Sequence, residues 1–313
     1  MIDKYFRYMW IFLVAAAVLF GATLWNKRQI DAGTVRGQYA FAQTRNNIRL
    51  LKHIKMITAE SGEVNLELRD GEWHFIEAKD YFINVNRLAD FYAMVNNALI
   101  ETVNPATTEA LEKQNLTPET GTKLVTYDNA GNVLDEVIIG KRQNDESVYA
   151  YFANNKGYYY GIGPVGAFSG GAQDWIPYPL LNIDANLIRK MVIRGHIFEG
   201  EKLAKLMQSS LNMQRALGVL SFIGYDGVAL KSDLAEDKTV NVKPRTLDVV
   251  MINGLIYAME IYKVEDTYWL GITLKVDKIA RRNVPAFVKQ NQKYFADWLF
   301  LMDTRQGKIL YEM

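Results

Sequence analysis

The chain predicts an α+β fold in which a single N-terminal transmembrane helix is followed by two related lobes, each an antiparallel sheet with a helix. Three observations carry this reading. An apolar run near the N-terminus is long enough to span a bilayer, and short alternating segments separated by turn residues dominate the remainder. The order strand, helix, antiparallel strands also occurs twice along the chain. The 313 residues then divide into a tip and anchor (1–25), a juxtamembrane tether (26–47), a first lobe (48–182) and a second lobe (183–313).

The anchor comes first. Tyr8 to Trp25 is an uncharged run of 18 residues, bracketed by Lys4 and Arg7 before it and Lys27 and Arg28 after it. At about 1.5 Å per helical residue it spans roughly 27 Å, close to the hydrocarbon thickness of a bilayer. Tyr5, Phe6, Tyr8 and Trp10 crowd one end and Trp25 marks the other, as aromatic belts do. A cleaved signal peptide needs small residues at −3 and −1, and cutting after Ala22 or Gly21 would put Phe20 or Leu19 at −3. A core helix is rarely apolar on every face, so the expectation is an uncleaved single span in contact with lipid. Lys27, Arg28, Arg36 and Arg45 outnumber Lys4 and Arg7, which by charge alone favours an outside N-terminus. Large downstream domains cross largely regardless of such charges, and the count does not settle orientation.

The first lobe opens with a strand over Ile48 to Ile57. Leu66 to Phe75 alternates around Asp70-Gly71, a hairpin signal. Val85 to Ile100 carries apolar residues at Val85, Leu88, Ala89, Tyr92, Val95 and Leu99, one stripe of an amphipathic helix. Lys123 to Tyr127 and Val133 to Ile139 flank a turn at Asp128 to Asn132, and Val148 to Phe152 and Tyr158 to Ile162 flank Asn154 to Gly157. After a joining stretch from Asp174 to Ile183, the second lobe repeats the plan. It has a strand over Leu187 to Ile193, a helix from Lys202 to Leu220, and strands over Leu247 to Ile252, Leu255 to Tyr262 and Tyr268 to Leu274. Asn253-Gly254 makes the tight turn between the first two of these, and Glu265 to Thr267 the next. Tyr294, Phe295, Trp298, Leu299 and Phe300 are expected to pack on this lobe or to touch the bilayer.

Composition narrows the function classes. With 36 Lys and Arg against 35 Asp and Glu, the chain lacks the basic excess of a general nucleic-acid binder, so no nucleic-acid partner is expected. It contains no cysteine, which excludes disulfides, thiolate zinc sites, iron–sulfur clusters and cysteine nucleophiles.

Other strings come near known chemical motifs. Gly161-Ile162-Gly163-Pro164-Val165-Gly166 matches the dinucleotide fingerprint, and Asp184 lies where a ribose ligand would sit. That motif needs a helix opening at its glycines, and Pro164, Gly170, Gly171, Pro177 and Pro179 oppose one, so a surface loop is expected. His53, His74 and His196 form no zinc spacing; His74 reads as an exposed strand residue and His196 as a turn residue. Ser169 lacks the first glycine of a nucleophile elbow, and Gly140-Lys141 lacks the rest of a phosphate-binding loop. Asp233, Glu236 and Asp237 read as a solvated loop without calcium-ligand spacing. Neither a catalytic residue, nor a metal ligand, nor a cofactor is therefore expected.

The aromatic excess is the exception. Tyr149, Tyr151, Phe152, Tyr158, Tyr159 and Tyr160 gather on one hairpin, with Phe168, Trp175 and Tyr178 nearby. Alternation puts Tyr149 and Tyr151 on one face and Phe152 on the other, and a lone sheet buries only one face. Tyr149, Tyr151, Tyr158, Tyr159, Tyr160 and Trp175 are the expected partner-binding residues.

Several stretches resemble a bacterial family, the domain of unknown function 4340. They are Asp70-Gly71-Glu72-Trp73, the helix through Asn86-Arg87-Leu88-Ala89-Asp90, the strand end Ile139-Gly140-Lys141, the tyrosine pair of strands, and Trp175 to Leu181 leading into Asn182-Ile183-Asp184. The resemblance covers residues 48–195, and 240–302 more loosely. It implies a single-span protein of the inner membrane with its soluble part in the periplasm, N-terminus inside, associated with gliding-type ABC transporter components. It brings no catalytic residue. The expected role is a non-catalytic accessory or scaffold subunit of an envelope complex, with other membrane proteins as partners. A glycan- or peptidoglycan-binding module is the alternative, and an enzyme assembled from distant segments the third.

Overall fold

The computed structural model describes residues 35–59, 62–154, 157–166, 168, 170–236 and 243–313. Tyr8 to Trp25, the first part of the tether, Ser169 and Asp237 lie outside the described residues. Among the described residues no helix is long and apolar enough to cross a membrane.

The first half contains α1 (Ala42–Asn46), β1 (Leu51–Thr58), β2 (Gly62–Arg69), β3 (Glu72–Phe75), β4 (Tyr81–Phe82), α2 (Val85–Asn97), β5 (Leu99–Pro105), α3 (Thr108–Lys113), β6 (Thr122–Asp128), β7 (Val133–Arg142), β8 (Val148–Phe152) and β9 (Tyr158–Gly163). The second half contains β10 (Ile188–Ile193), β11 (His196–Glu199), α4 (Glu201–Ser209), α5 (Leu211–Leu220), β12 (Gly227–Leu230) and α6 (Lys231–Glu236). It continues through β13 (Arg245–Met251), β14 (Leu255–Val264), β15 (Thr267–Val276), α7 (Val284–Asn291), β16 (Trp298–Met302) and α8 (Thr304–Glu312). The strands form two antiparallel sheets, of nine and seven strands, so the fold is α+β as expected.

Two compact units result, residues 35–63 with 86–171, and residues 64–85 with 172–313. The sequence places a single cut at 182/183. In the structure the β2–β4 meander belongs with the later residues, because its side chains pack there.

In the first unit the strands run β1-β6-β7-β8-β9-β5. Ile54, Met56, Leu124, Val137, Ile139, Ala150, Phe152, Tyr160 and Ile162 are buried on one face, where Phe41 meets Phe152 edge-on at 5.7 Å. Helix α2 adds Phe91, Met94 and Val95 to the buried set. It ends at Asn97, earlier than the expected Ile100, because Ile100 joins β5: its N–H donates to Gln38 O, and it pairs with Ile162. All three expected hairpins form. At the β6–β7 turn the Asp128 carboxylate accepts the N–H groups of Ala130 and Asn132.

In the second unit the order is β11-β10-β13-β14-β15-β16-β12. The β2–β3 hairpin turns on Asp70 (φ 52°) and Gly71 (φ 85°), the left-handed pair its sequence signals. Tyr81 of β4 lies edge-on to Trp298 at 4.9 Å and to Phe300 at 5.7 Å, and its hydroxyl donates to Tyr294 O at 3.0 Å. Trp298, Leu299 and Phe300 are thus core residues of this unit. Helices α7 and α8 pack on β15. The helix expected over 202–220 is two helices, because Ser210 is extended (φ −100°, ψ 114°) and its hydroxyl accepts Met213 N–H, capping α5. Asp233 and Glu236 stand on the short helix α6 rather than in a loop.

The order β1-β6-β7-β8-β9-β5 and the order β10-β13-β14-β15-β16-β12 match strand for strand. Agreement extends to detail. Pairing slips at the second residue of the leading strand in both cases, between Leu51 and His53 and between Ile188 and Lys190. The first six residues of the two strands also alternate identically between buried and half-buried.

Candidate functional site

The tyrosine hairpin is built from strict alternation. Val148, Ala150 and Phe152 point to the core, so Tyr149 and Tyr151 take the opposite, half-exposed face, as expected. Register then sorts β9. Ala150 stands opposite Tyr160, which places the Tyr160 ring among core residues at 1% exposure, 6.1 Å from Phe152. Tyr159 falls on the outer face, where it meets Tyr149 edge-on, centroids 5.7 Å apart at 71°. Tyr158, at the strand end, is half-exposed. Burial, then the neighbouring Tyr149, raises the Tyr159 phenol above its ordinary pKa.

Two expected members do not belong to this surface. Tyr160 is corrected to a core residue by its pairing with Ala150. Trp175, 2% exposed, is a buried residue of the second unit, where its carbonyl accepts Asn84 N–H at 2.7 Å. Neither ring is available to a partner.

The outer face around Tyr149 is polar at its margin. Ser147 Oγ donates to Glu101 Oε2 at 2.8 Å, and Gly161 N–H donates to Thr102 Oγ1 at 3.0 Å. These contacts explain the glycine string. A Cβ on Gly161 would lie 2.5 Å from Thr102 Oγ1, and one on Gly163 would lie 2.7 Å from both Glu101 Oε1 and Ser147 Oγ. The glycines admit side chains of β5 and of the β7–β8 turn close to β9, and among the described residues no helix opens at them.

The Ile139-Gly140-Lys141 strand end has a comparable explanation. Lys141 N–H donates to Gln114 O at 2.9 Å and its ammonium to Lys113 O at 2.7 Å, so a cation seals the C-terminus of α3. A Cβ on Gly140 would stand 2.2 Å from Gln114 O, which leaves room only for hydrogen.

A cavity that the sequence did not reveal lies in the second unit. It has a volume of about 350 Å³, is open on one side, and is lined by Arg194, His196, Phe198, Leu206 and Met213 among others. Arg194 (φ 49°) and Gly195 (φ 87°) form the tight β10–β11 turn, and Arg194 Nη2 donates to Tyr311 O at 3.1 Å. His196 is therefore a strand residue at a cavity rim, not a turn residue. The only sequence signal was an Arg-Gly-His turn between two short strands.

The other histidines are occupied locally. His53 stacks on Tyr127 at 5.0 Å, and His74 Nδ1 shares a hydrogen bond with Asp80 O at 2.8 Å. Among the described residues no group of three or more His, Asp or Glu side chains is placed to hold a metal ion. The chain matches no family model, and neither a curated protein nor a solved structure is similar to it.

Proposed function

We propose that this chain is a membrane-anchored, non-catalytic accessory subunit of a bacterial envelope complex. Its anchor is Tyr8 to Trp25, its body lies in the periplasm, and its docking surface is the outer tyrosine face of β8 and β9. The observation that carries the docking surface is the Tyr149–Tyr159 pair, held half-exposed on the sheet face opposite the core. Tyrosine there offers large, stiff contact area with a hydroxyl at its tip, the combination favoured at protein interfaces. The uncharged run supports the anchor, and the resemblance to the 4340 family supports a transporter-linked setting. The shared strand order supports reading the two units as diverged copies of one plan. The edge-on geometry of Tyr149 and Tyr159 supports a protein partner over the glycan alternative, since a sugar stacks on a flat ring face.

The test is recovery of partners from membranes in mild detergent, comparing the native chain with one carrying Tyr149→Ser and Tyr159→Ser. Specific companions should co-purify with the native chain and fall several-fold in yield with the variant. Equal recovery would refute the docking face, and extraction of the native chain by carbonate without detergent would refute the anchor.

A further inference from the structure

We infer that one end of the second sheet is a docking surface for an anionic phospholipid bilayer. Four aliphatic side chains are exposed there: Leu187 (42%), Ile252 (47%), Val276 (42%) and Ile279 (61%). Hydrogen bonds hold their segments together. Ile252 N–H donates to Leu187 O, Asp277 N–H to Gly254 O, and Arg281 N–H to Asn253 O, each at 2.9 Å. Gly254 (φ 86°) makes this possible, because a Cβ there would stand 2.4 Å from Ala280 Cα. The β13–β14 turn and the segment after β15 thus form one rigid tip.

Cations predominate on this tip. Lys275, Lys278, Arg281 and Arg282 are all exposed, and among the described residues none of them forms an ion pair. The nearby carboxylates do not balance them. Asp277 is paired with the Arg189 guanidinium, which leaves the exposed Asp184, an acceptor of Asn186 N–H, against four cations. Exposed aliphatics ringed by uncompensated cations match a surface that is apolar within and anionic at its headgroups, and long Lys and Arg stems reach outward to those headgroups. A protein partner is the poorer fit, because interface cores favour aromatics and disfavour Lys, and this tip has Lys and no aromatic ring. The inference goes beyond the proposed anchor and stands without it.

The absence of cysteine makes the test local. Ile279→Cys in the full-length chain takes a single environment-sensitive fluorophore, and Val133→Cys, exposed on β7, gives a reference position. Each labelled protein is combined with vesicles of phosphatidylcholine alone or of equal phosphatidylcholine and phosphatidylglycerol. The reference position, and charge reversal on the tip in a chain that keeps its anchor, separate this surface from the anchor. The Ile279 label should shift to the blue only with phosphatidylglycerol, be quenched by spin-labelled lipid tails, and return in high salt, while the Val133 label stays unchanged. Lys278→Glu with Arg281→Glu should abolish the shift at an unchanged melting temperature. Identical spectra in both vesicles, an equal shift at Val133, or the same shift from soluble polyglutamate without lipid would overturn the inference.

Discussion

The Asp135 carboxylate, from near the start of β7, accepts the backbone N–H of Thr44 at 2.8 Å and so caps the first turn of α1 from another part of the chain. The Thr44 and Thr126 hydroxyls, 2.6 Å apart, complete a buried polar cluster beneath it. A helix of five residues has little stability of its own. The cluster is what fixes the entry of the chain into the first sheet.

Burial raises the Asp135 pKa above its ordinary value, against the opposing hydrogen bonds from Thr44 and Gln43. The folded state therefore holds this proton at pH values where the unfolded chain has released it, and stability falls as pH climbs from the ordinary carboxylate range through the raised folded value. Asp135→Asn, a neutral isostere of the protonated acid, should remove that slope, so that the urea midpoint of the native chain falls relative to that of the variant as pH rises. Asp135→Ala should cost about 1–3 kcal/mol at low pH, because Thr44 N–H loses its acceptor, and less as rising pH lowers the stability of the native chain. A pH-independent difference between native and Asn chains would contradict this.

Tyr225 is 7% exposed, its ring 5.3 Å from Phe300, and its hydroxyl has no partner among the described residues. Burial raises its pKa far above the ordinary phenol value. Tyr225→Phe keeps the ring and deletes the stranded hydroxyl, so it should stabilise the protein by about 1 kcal/mol. A lower melting temperature for this variant would mean that the hydroxyl is satisfied after all.

Gly140→Ala should destabilise the first unit by about 1–3 kcal/mol, the usual range for a group forced into packed surroundings. The obstacle is the Gln114 backbone carbonyl, which cannot rotate aside like a side chain. Chemical denaturation of the two proteins measures it. A stability equal to the native value would show that α3 shifts without cost.

Replacing Tyr149 and Tyr159 by Ser should leave stability within about 1 kcal/mol, the scale of one cross-strand aromatic pair on a half-exposed face. Tyr160→Ser should cost at least about 3 kcal/mol, as loss of a buried ring does. Thermal melts separate the two classes, and equal losses would contradict the sorting of these tyrosines by register.

The contrast between Tyr159 and Tyr160 marks where the sequence stops being sufficient. Asp70-Gly71 and Asn253-Gly254 announce their hairpins because positive φ is written into those residue types. Parity separates Tyr149 from Phe152 for the same local reason. Which tyrosine of β9 turns inward depends on its pairing with Ala150 of another strand, and no local pattern encodes that. Ser210 breaks a helix whose apolar period runs straight through it, so the cap is legible only once the bend is seen. The meeting of Tyr81 with Trp298, and of Arg194 and His196 with α4 and α5, joins segments far apart in the chain and leaves no periodic trace.

The strand order has a consequence for synthesis. β5 is made well before β9, the strand it pairs with, and β12 well before β16. At about 5–20 residues per second, each unit spends several seconds with that partner strand still unmade. During that interval an apolar edge is open to any other extended chain, first on one unit and then on the other. A ribosome or translocation channel that releases the chain from its N-terminus thus produces the same vulnerable half-built sheet twice, and holding factors have two separate moments at which to act.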